Sequence, residues 1–302
     1  MDTPARPARG LPLPVVVGVD GSEGATRALR WAALEAVRTG ATLRILSAWQ
    51  APVATSYATI STPYIDPAPF EAAGHDVVRD AEAMVRQQLG DASPTVAAAI
   101  AQGSAASTLL DAARQASLLV VGTRGRGGFA RALLGSVSAA CAHHTSTPLA
   151  VIGPDAPDPG SGDLVVGFDG SAGARAALRW AVRDARTTGA KVRVVHGWTA
   201  SIGELYGVLP DGSLVGDPAP EIEREVAETV ADLRDLPSIA VEVVALPGAQ
   251  ALVRGSVGAA ALVVGSRGHG GFVGLLLGSV SQACLHHSPG ALVIVPPASR
   301  TT

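Results

Sequence analysis

The chain has 302 residues, 47% of them hydrophobic, and a formal net charge of −3, which is enough apolar material to fill the cores of two domains of roughly 150 residues each. Its arginines are interspersed with Asp and Glu, which leaves no electrostatic footprint for DNA or RNA, and no apolar run approaches the roughly 18 to 20 residues that span a bilayer. Two cysteines exclude a disulfide framework, and the opening MDTPARPARGLPLP lacks the apolar h-region of a signal peptide, so a cytoplasmic location is expected.

Taken in chain order, short β-branched runs alternate with longer amphipathic stretches. Strands are predicted at Val15 to Val19, Thr42 to Ala48, Thr95 to Ala101, Leu118 to Val121 and Leu149 to Ile152. Helices are predicted at Ser22 to Arg38, Phe70 to Leu89, Ser104 to Ala116 and Ser136 to His144. The segment GPDAPDPGSG, residues 153–162, is rich in Pro, Gly and Asp without apolar period and reads as a linker. Beyond it the strand pattern returns at Leu164 to Phe168, Lys191 to His196, Ile239 to Ala245, Ala261 to Val264 and Ala291 to Val295. Fully apolar strands such as LLVV and ALVV suit a parallel sheet covered by helices on both faces, so the class is α/β, doubly wound.

The second half repeats the first. VVVGVDGSEGATRALRWAALEA from Val15 matches LVVGFDGSAGARAALRWAVRDA from Leu164, which sets Asp20 opposite Asp169 and Trp31 opposite Trp180. GTRGRGGFARALLGSVS from Gly122 returns as GSRGHGGFVGLLLGSVS from Gly265. A duplicated domain follows, with residues 1–152 as the first copy, 153–162 as the linker and 163–302 as the second. The period is far longer than that of a solenoid repeat, so each copy is expected to bury its own core.

The glycine-rich stretch is not a Walker A loop, because GxxxxGK[ST] needs a lysine that neither copy has there. Nor is it a Rossmann fingerprint, which belongs in the first strand-to-helix turn, where this chain reads GVDGSEG and GFDGSAG. What remains is Gly122-x-x-Gly125, nine residues, then Gly135-Ser136, and likewise Gly265-x-x-Gly268, nine residues, then Gly278-Ser279. Glycines after a strand admit close backbone approach, and Gly135-Ser136 opens a helix whose N–H groups and dipole attract an anion, so two arms would hold a polyphosphate. Ser136, Ser138, Ser279 and Ser281 would add hydroxyl donors, or Ser136 and Ser279 would simply be N-caps. Asp20 and Asp169 are either ligand contacts or Asx-turn residues in DGS. Arg124 and Arg267 are phosphate partners or solvated loop arginines. The bridge glycines Gly127 and Gly128 read as flexibility between the arms.

On these motifs both copies resemble universal stress protein domains of the ATP-binding branch, whose motif is G-x2-G-x9-G-[ST] after the fourth strand, and the whole resembles the tandem arrangement frequent in actinobacteria. The resemblance implies two Rossmann-like domains, each a five-stranded mostly parallel sheet of order 3-2-1-4-5, and ATP as the ligand, with Mg²⁺ where Asp20 or Asp169 reaches phosphate. It implies one site per domain. In the first copy these are Gly18, Asp20, Ala48, Val121, Gly122, Thr123, Arg124, Gly125, Gly135, Ser136, Val137 and Ser138. In the second they are Gly167, Asp169, Gly197, Val264, Gly265, Ser266, Arg267, Gly268, Gly278, Ser279, Val280 and Ser281. Ala48 and Gly197 are expected where a backbone meets adenine. The loops QAPVATSYATISTPYIDPAP and TASIGELYGVLPDGSLVGDPAP are expected to cover the sites and to make their affinities differ. The last strands imply a pseudo-dimer within the chain and a homodimer through the same edges, with regulatory partners unknown.

The implied function is a nucleotide-dependent stress sensor or regulator; the alternative is a slow ATP hydrolase or a nucleotidyl or phosphoryl transferase on the same fold. Neither copy carries GxSxG, HExxH or a kinase catalytic loop, so no catalytic residue is assigned. CAHH and CLHH give too few ligands for a closed zinc site and read as a buried Cys with histidines in a last helical turn, so no metal site is assigned. His196, beside Gly197, is either near a ligand or a packed histidine, and Trp31 and Trp180 read as core.

Overall fold

The computed structural model describes residues 12–51, 66–125, 134–199, 218–268 and 277–297. The predicted bridge glycines and most of both covering loops lie outside the described residues. The chain divides into two compact units, Met1–Cys141 and Ala142–Thr302.

In the first unit the strands are β1 (Val15–Gly18), β2 (Leu43–Trp49), β3 (Val96–Gln102) and β4 (Leu118–Gly122), and all pair in parallel in the order β3-β2-β1-β4. Val15, Val16 and Val17 are each at most 1% exposed, as a strand covered on both faces must be. The helices are α1 (Glu23–Thr39), α2 (Ala68–Leu89), α3 (Ala105–Ala113) and α4 (Ser136–His144), the last running on into the second unit. Ser22 starts α1 by accepting the Ala25 N–H at 3.2 Å. Gly40 ends it at φ 65°, and the Ala41 N–H reaches back to the Ala36 carbonyl at 2.9 Å. Helix α3 stops three residues short of the predicted Ala116, because the Gln115 and Ala116 N–H groups turn to carbonyls three residues back, tightening the end.

The second unit takes β5 (Leu149–Ile152) from the end of the first copy and adds β6 (Leu164–Gly167), β7 (Val192–Gly197), β8 (Ile239–Val244), β9 (Ala261–Gly265) and β10 (Ala291–Val295). Its order is β5-β10-β9-β6-β7-β8, parallel throughout except that β5 and β10 run antiparallel, with Leu149 opposite Ile294 and Ile152 opposite Ala291. The final strands of the two copies thus pair with one another inside the chain. Because β10 is hydrogen-bonded on both sides, by β5 and β9, it offers no edge to another chain, which corrects the expectation of a homodimer through that strand. The helices are α5 (Ala172–Thr188), α6 (Ala219–Val230), α7 (Gly248–Gly255) and α8 (Ser279–His287).

Helix α5 repeats α1, capped by Ser171 and closed by Gly189 at φ 70°. Its inner face, Ala174, Ala177, Leu178, Ala181, Val182 and Ala185, is fully buried. Small residues at that spacing let the helix lie close on the sheet. Trp31 is buried as predicted, whereas Trp180 is only half-buried. No helix among the described residues is long and apolar enough to cross a membrane.

Candidate functional site

Each unit carries a cavity at the carboxyl end of its central strands, where the order turns from β1 to β4 in the first copy and from β6 to β9 in the second. Open α/β sheets place ligands at this crevice. The cavities measure ≈ 540 and ≈ 490 Å³, within the range of small-molecule sites.

The turn after β1 is built from its own sequence. Asp20 Oδ1 accepts the Ser22 N–H at 3.0 Å, Ser22 caps α1, and the Ser22 hydroxyl donates to the Arg124 carbonyl at 3.5 Å. The second copy repeats this through Asp169, Ser171 and the Arg267 carbonyl at 3.0, 3.2 and 3.3 Å. The aspartate therefore forms the Asx turn, and it also lines the cavity. A Cβ on Gly125 or Gly268 would overlap Asp20 Oδ2 or Asp169 Oδ2, so those glycines keep room for the carboxylate.

The two glycine arms are sewn together. Ser138 Oγ donates to the Gly122 carbonyl at 2.6 Å and the Gly135 N–H to the Thr123 carbonyl at 2.7 Å. The equivalents are Ser281 to Gly265 at 2.6 Å and Gly278 to Ser266 at 2.8 Å. Several expectations change as a result. The Ser138 and Ser281 hydroxyl protons serve the fold, so these oxygens face a ligand only as acceptors. Gly278 is the N-cap of α8, with no side-chain cap bond, so Ser279 is not a cap; Ser136 likewise stands inside α4, whose first intrahelical bond runs from Ala139 to the Gly135 carbonyl. The N–H groups of Ser136, Val137 and Ser138 have no carbonyl partner within the helix and form an end of the kind that suits an anion.

Gly122 and Gly265 are glycine for a different reason from the one expected. A Cβ on Gly122 would stand 2.5 Å from the Gly24 carbonyl oxygen, and one on Gly265 would strike the Gly173 backbone. The close approach is between β4 and α1, and between β9 and α5, not between backbone and ligand. Thr123 and Ser266 are buried and do not line the cavities; they give their carbonyls to the arm ties.

The other predicted residues line the cavities: Gly18, Asp20, Ala48, Val121, Gly122, Arg124, Gly125 and Gly135 to Ser138 the first, and Gly167, Asp169, Gly197, Val264, Gly265, Arg267, Gly268 and Gly278 to Ser281 the second. Sequence reasoning missed the apolar wall, formed by Val19, Ala25, Leu46, Ala105, Leu109 and Leu134 in the first cavity. In the second, Phe168, Ala174, Val195, Gly248 and Leu252 stand there, with Ser171 and His196. The signal was present in part: Leu46 and Ala48 are two apart on one strand, and Ala105 and Leu109 four apart on one helix, so each pair shares a face. Arg124 and Arg267 line the cavities from exposed positions, and among the described residues neither is in an ion pair.

Cys141 on α4 and Cys284 on α8 are fully buried, and burial pushes each thiol up to about 12. Such thiols are protonated at neutral pH and supply neither nucleophile nor metal ligand. Among the described residues no group of three or more His, Cys, Asp or Glu stands close enough to hold a metal.

The family model described as "Universal stress protein family" matches residues 13–153 and again 162–296. The chain belongs to the universal stress protein family. A universal stress protein of Mycobacterium tuberculosis is 35% identical over 281 residues, covering 90% of this chain and 93% of its own, and one of Mycolicibacterium smegmatis is 32% identical over 295 residues, covering 94% and 97%. The crystal structure of a universal stress protein from Archaeoglobus fulgidus superposes with a TM-score of 0.67 at 18% identity, covering 94% of this chain and 98% of its own, which supports the shared fold. The match spans more than nine-tenths of these two relatives' own lengths.

Proposed function

We propose that the chain is an ATP-binding universal stress protein with one nucleotide site in each copy, acting in the cytoplasm as a regulator whose partner choice follows nucleotide occupancy. The observation that carries this reading is the exact repetition of one anion-facing end. Each cavity has two arms tied by the same hydrogen bonds, three helix N–H groups at its floor and at its rim an arginine that is in no ion pair among the described residues. A polyphosphate suits that end. The opposite, apolar end suits a planar base.

The residues also fit a Mg²⁺ carried with the nucleotide. Each cavity offers one carboxylate, and magnesium takes one or two carboxylates with phosphate and water completing its shell. Bound there, the ion would neutralise phosphate charge. Asp20 and Asp169 hold their turns through Oδ1, so neither is arranged as a dedicated general base, and equal binding of ground and transition states does not raise turnover.

Titration calorimetry of the purified chain with ATP tests the proposal, with a stoichiometry near two nucleotides per chain expected. A stoichiometry near one would remove a site, and no binding at micromolar protein would remove the reading. Sustained turnover well above roughly one per minute would favour the hydrolase alternative, since a site lacking a positioned base gives up a large part of its catalysis.

A further inference from the structure

The anion ends of the two cavities are the same, but their opposite ends are not. At the end of β2 the first cavity presents Leu46 and Ala48, with Ser47 buried and outside the lining. At the matching end of β7 the second cavity presents Val195, His196 and Gly197, and Phe168 replaces Val19 on the neighbouring strand end. Helix α7 also crowds in: a Cβ on Gly197 would lie 2.5 Å from Gly248 Cα. The second cavity is therefore lined differently there and carries an imidazole where the first has none.

His196 Nδ1 lies 2.8 Å from the Phe168 carbonyl oxygen. A carbonyl only accepts, so Nδ1 carries the proton of this contact, and in the neutral ring Nε2 is left with a lone pair. Among the described residues Nε2 has no partner, and the half-buried ring that carries it lines the cavity. The contact with Phe168 orients the ring and fixes the tautomer at once.

We infer that His196 is a specificity residue of the second site alone, whose Nε2 accepts a hydrogen bond from an N–H group on the non-phosphate end of the ligand, such as the exocyclic amine of adenine. This rests on the nucleotide reading above. The first site, lined at that position by apolar groups and backbone, holds the same phosphates with less discrimination between bases. One chain then carries two sites of unequal selectivity, set by a wall residue rather than by the phosphate cradle.

The test is calorimetric titration of the full chain, wild type and His196→Ser, with ATP and with purine riboside triphosphate, which lacks the exocyclic amine. Wild type is expected to show a larger preference for ATP at one of its two sites. In the variant the ATP affinity of that site falls about tenfold, the size of one neutral hydrogen bond, while the affinity for the analogue and the other site stay unchanged. Equal ATP affinity in wild type and His196→Ser overturns the assignment while leaving the nucleotide reading intact. Absence of both nucleotides from the wild-type chain overturns the two together. Should His196→Ser fail to fold, the wild-type comparison stands alone, and equal preference for ATP over the analogue at the two sites overturns the assignment.

Discussion

Gly122 and Gly265 show how one residue type serves two purposes in a single motif. At these positions the neighbour is backbone, which cannot rotate away as a side chain would. Gly278 is different: a Cβ there would meet nothing closer than 3.4 Å, an ordinary contact. Gly265→Ala is therefore expected to lower the stability of the second copy by about 1 to 3 kcal/mol, the usual cost of overpacking, whereas Gly278→Ala costs less than about 1 kcal/mol, mainly through the poorer N-cap. Urea denaturation of the two variants checks this; equal losses would mean that the β9 and α5 backbones do not meet as described. The motif spacing made both glycines visible in the sequence, but not their reasons. Spacing reports which residues stand together after a strand, while the partner of Gly265, Gly173, lies 92 positions earlier in the chain and meets it only through the fold.

Helices α4 and α8 tie the site to the core, with a first turn that lines the cavity and, one turn and a half later, a buried cysteine. Their boundaries were legible because Gly-Ser opens each and paired histidines close it. The capping role was not, since it depends on whether the serine or the glycine before it keeps extended backbone angles. The thiols provide a pH test of this packing. Their folded values of about 12 lie above the ordinary 9.0, so the unfolded chain gives up protons first as pH rises. Stability contributed by the two buried thiols is complete below pH 9 and is lost progressively between 9 and about 12. Stability measured across that range is expected to decline less in a Cys141→Ala, Cys284→Ala double variant than in the wild type; identical slopes would show that other groups account for the alkaline loss. On the acid side, Arg179 bridges α5 to Asp232 just past α6 and its hydrogen bond holds that carboxyl down at about 2. Asp232 is fully exposed, so this pair contributes direction rather than much strength.

At the scale of the whole molecule, duplication leaves each copy with one strand whose edge must be covered. Leu149, Ala150, Val151 and Ile152 of β5 are all at most 2% exposed, and β10 is buried along its length. The register from Leu149 opposite Ile294 to Ile152 opposite Ala291 covers all of β5 and four of the five residues of β10, and the Gly153 and Asp155 N–H groups extend the contact to the Gly290 and Pro289 carbonyls at 3.1 and 3.0 Å. The sequence displayed these strands as apolar runs but not which edge each would meet, because a fully apolar strand pairs equally well with a partner in its own chain or in another. Separating the copies should make that choice visible. A fragment of residues 1–153 retains β5 but lacks β10, leaving a short apolar edge with unpaired N–H and carbonyl groups, the condition under which strands recruit another chain. The antiparallel geometry lets two β5 strands pair with each other as β5 pairs with β10, so the fragment is expected to sediment as a dimer at micromolar concentration. Substituting Val151 by Lys, which sets a charge on that edge, is expected to return it to a monomer. A monomeric wild-type fragment would show that β5 needs no partner, and that pairing with β10 is not what keeps this edge from other chains.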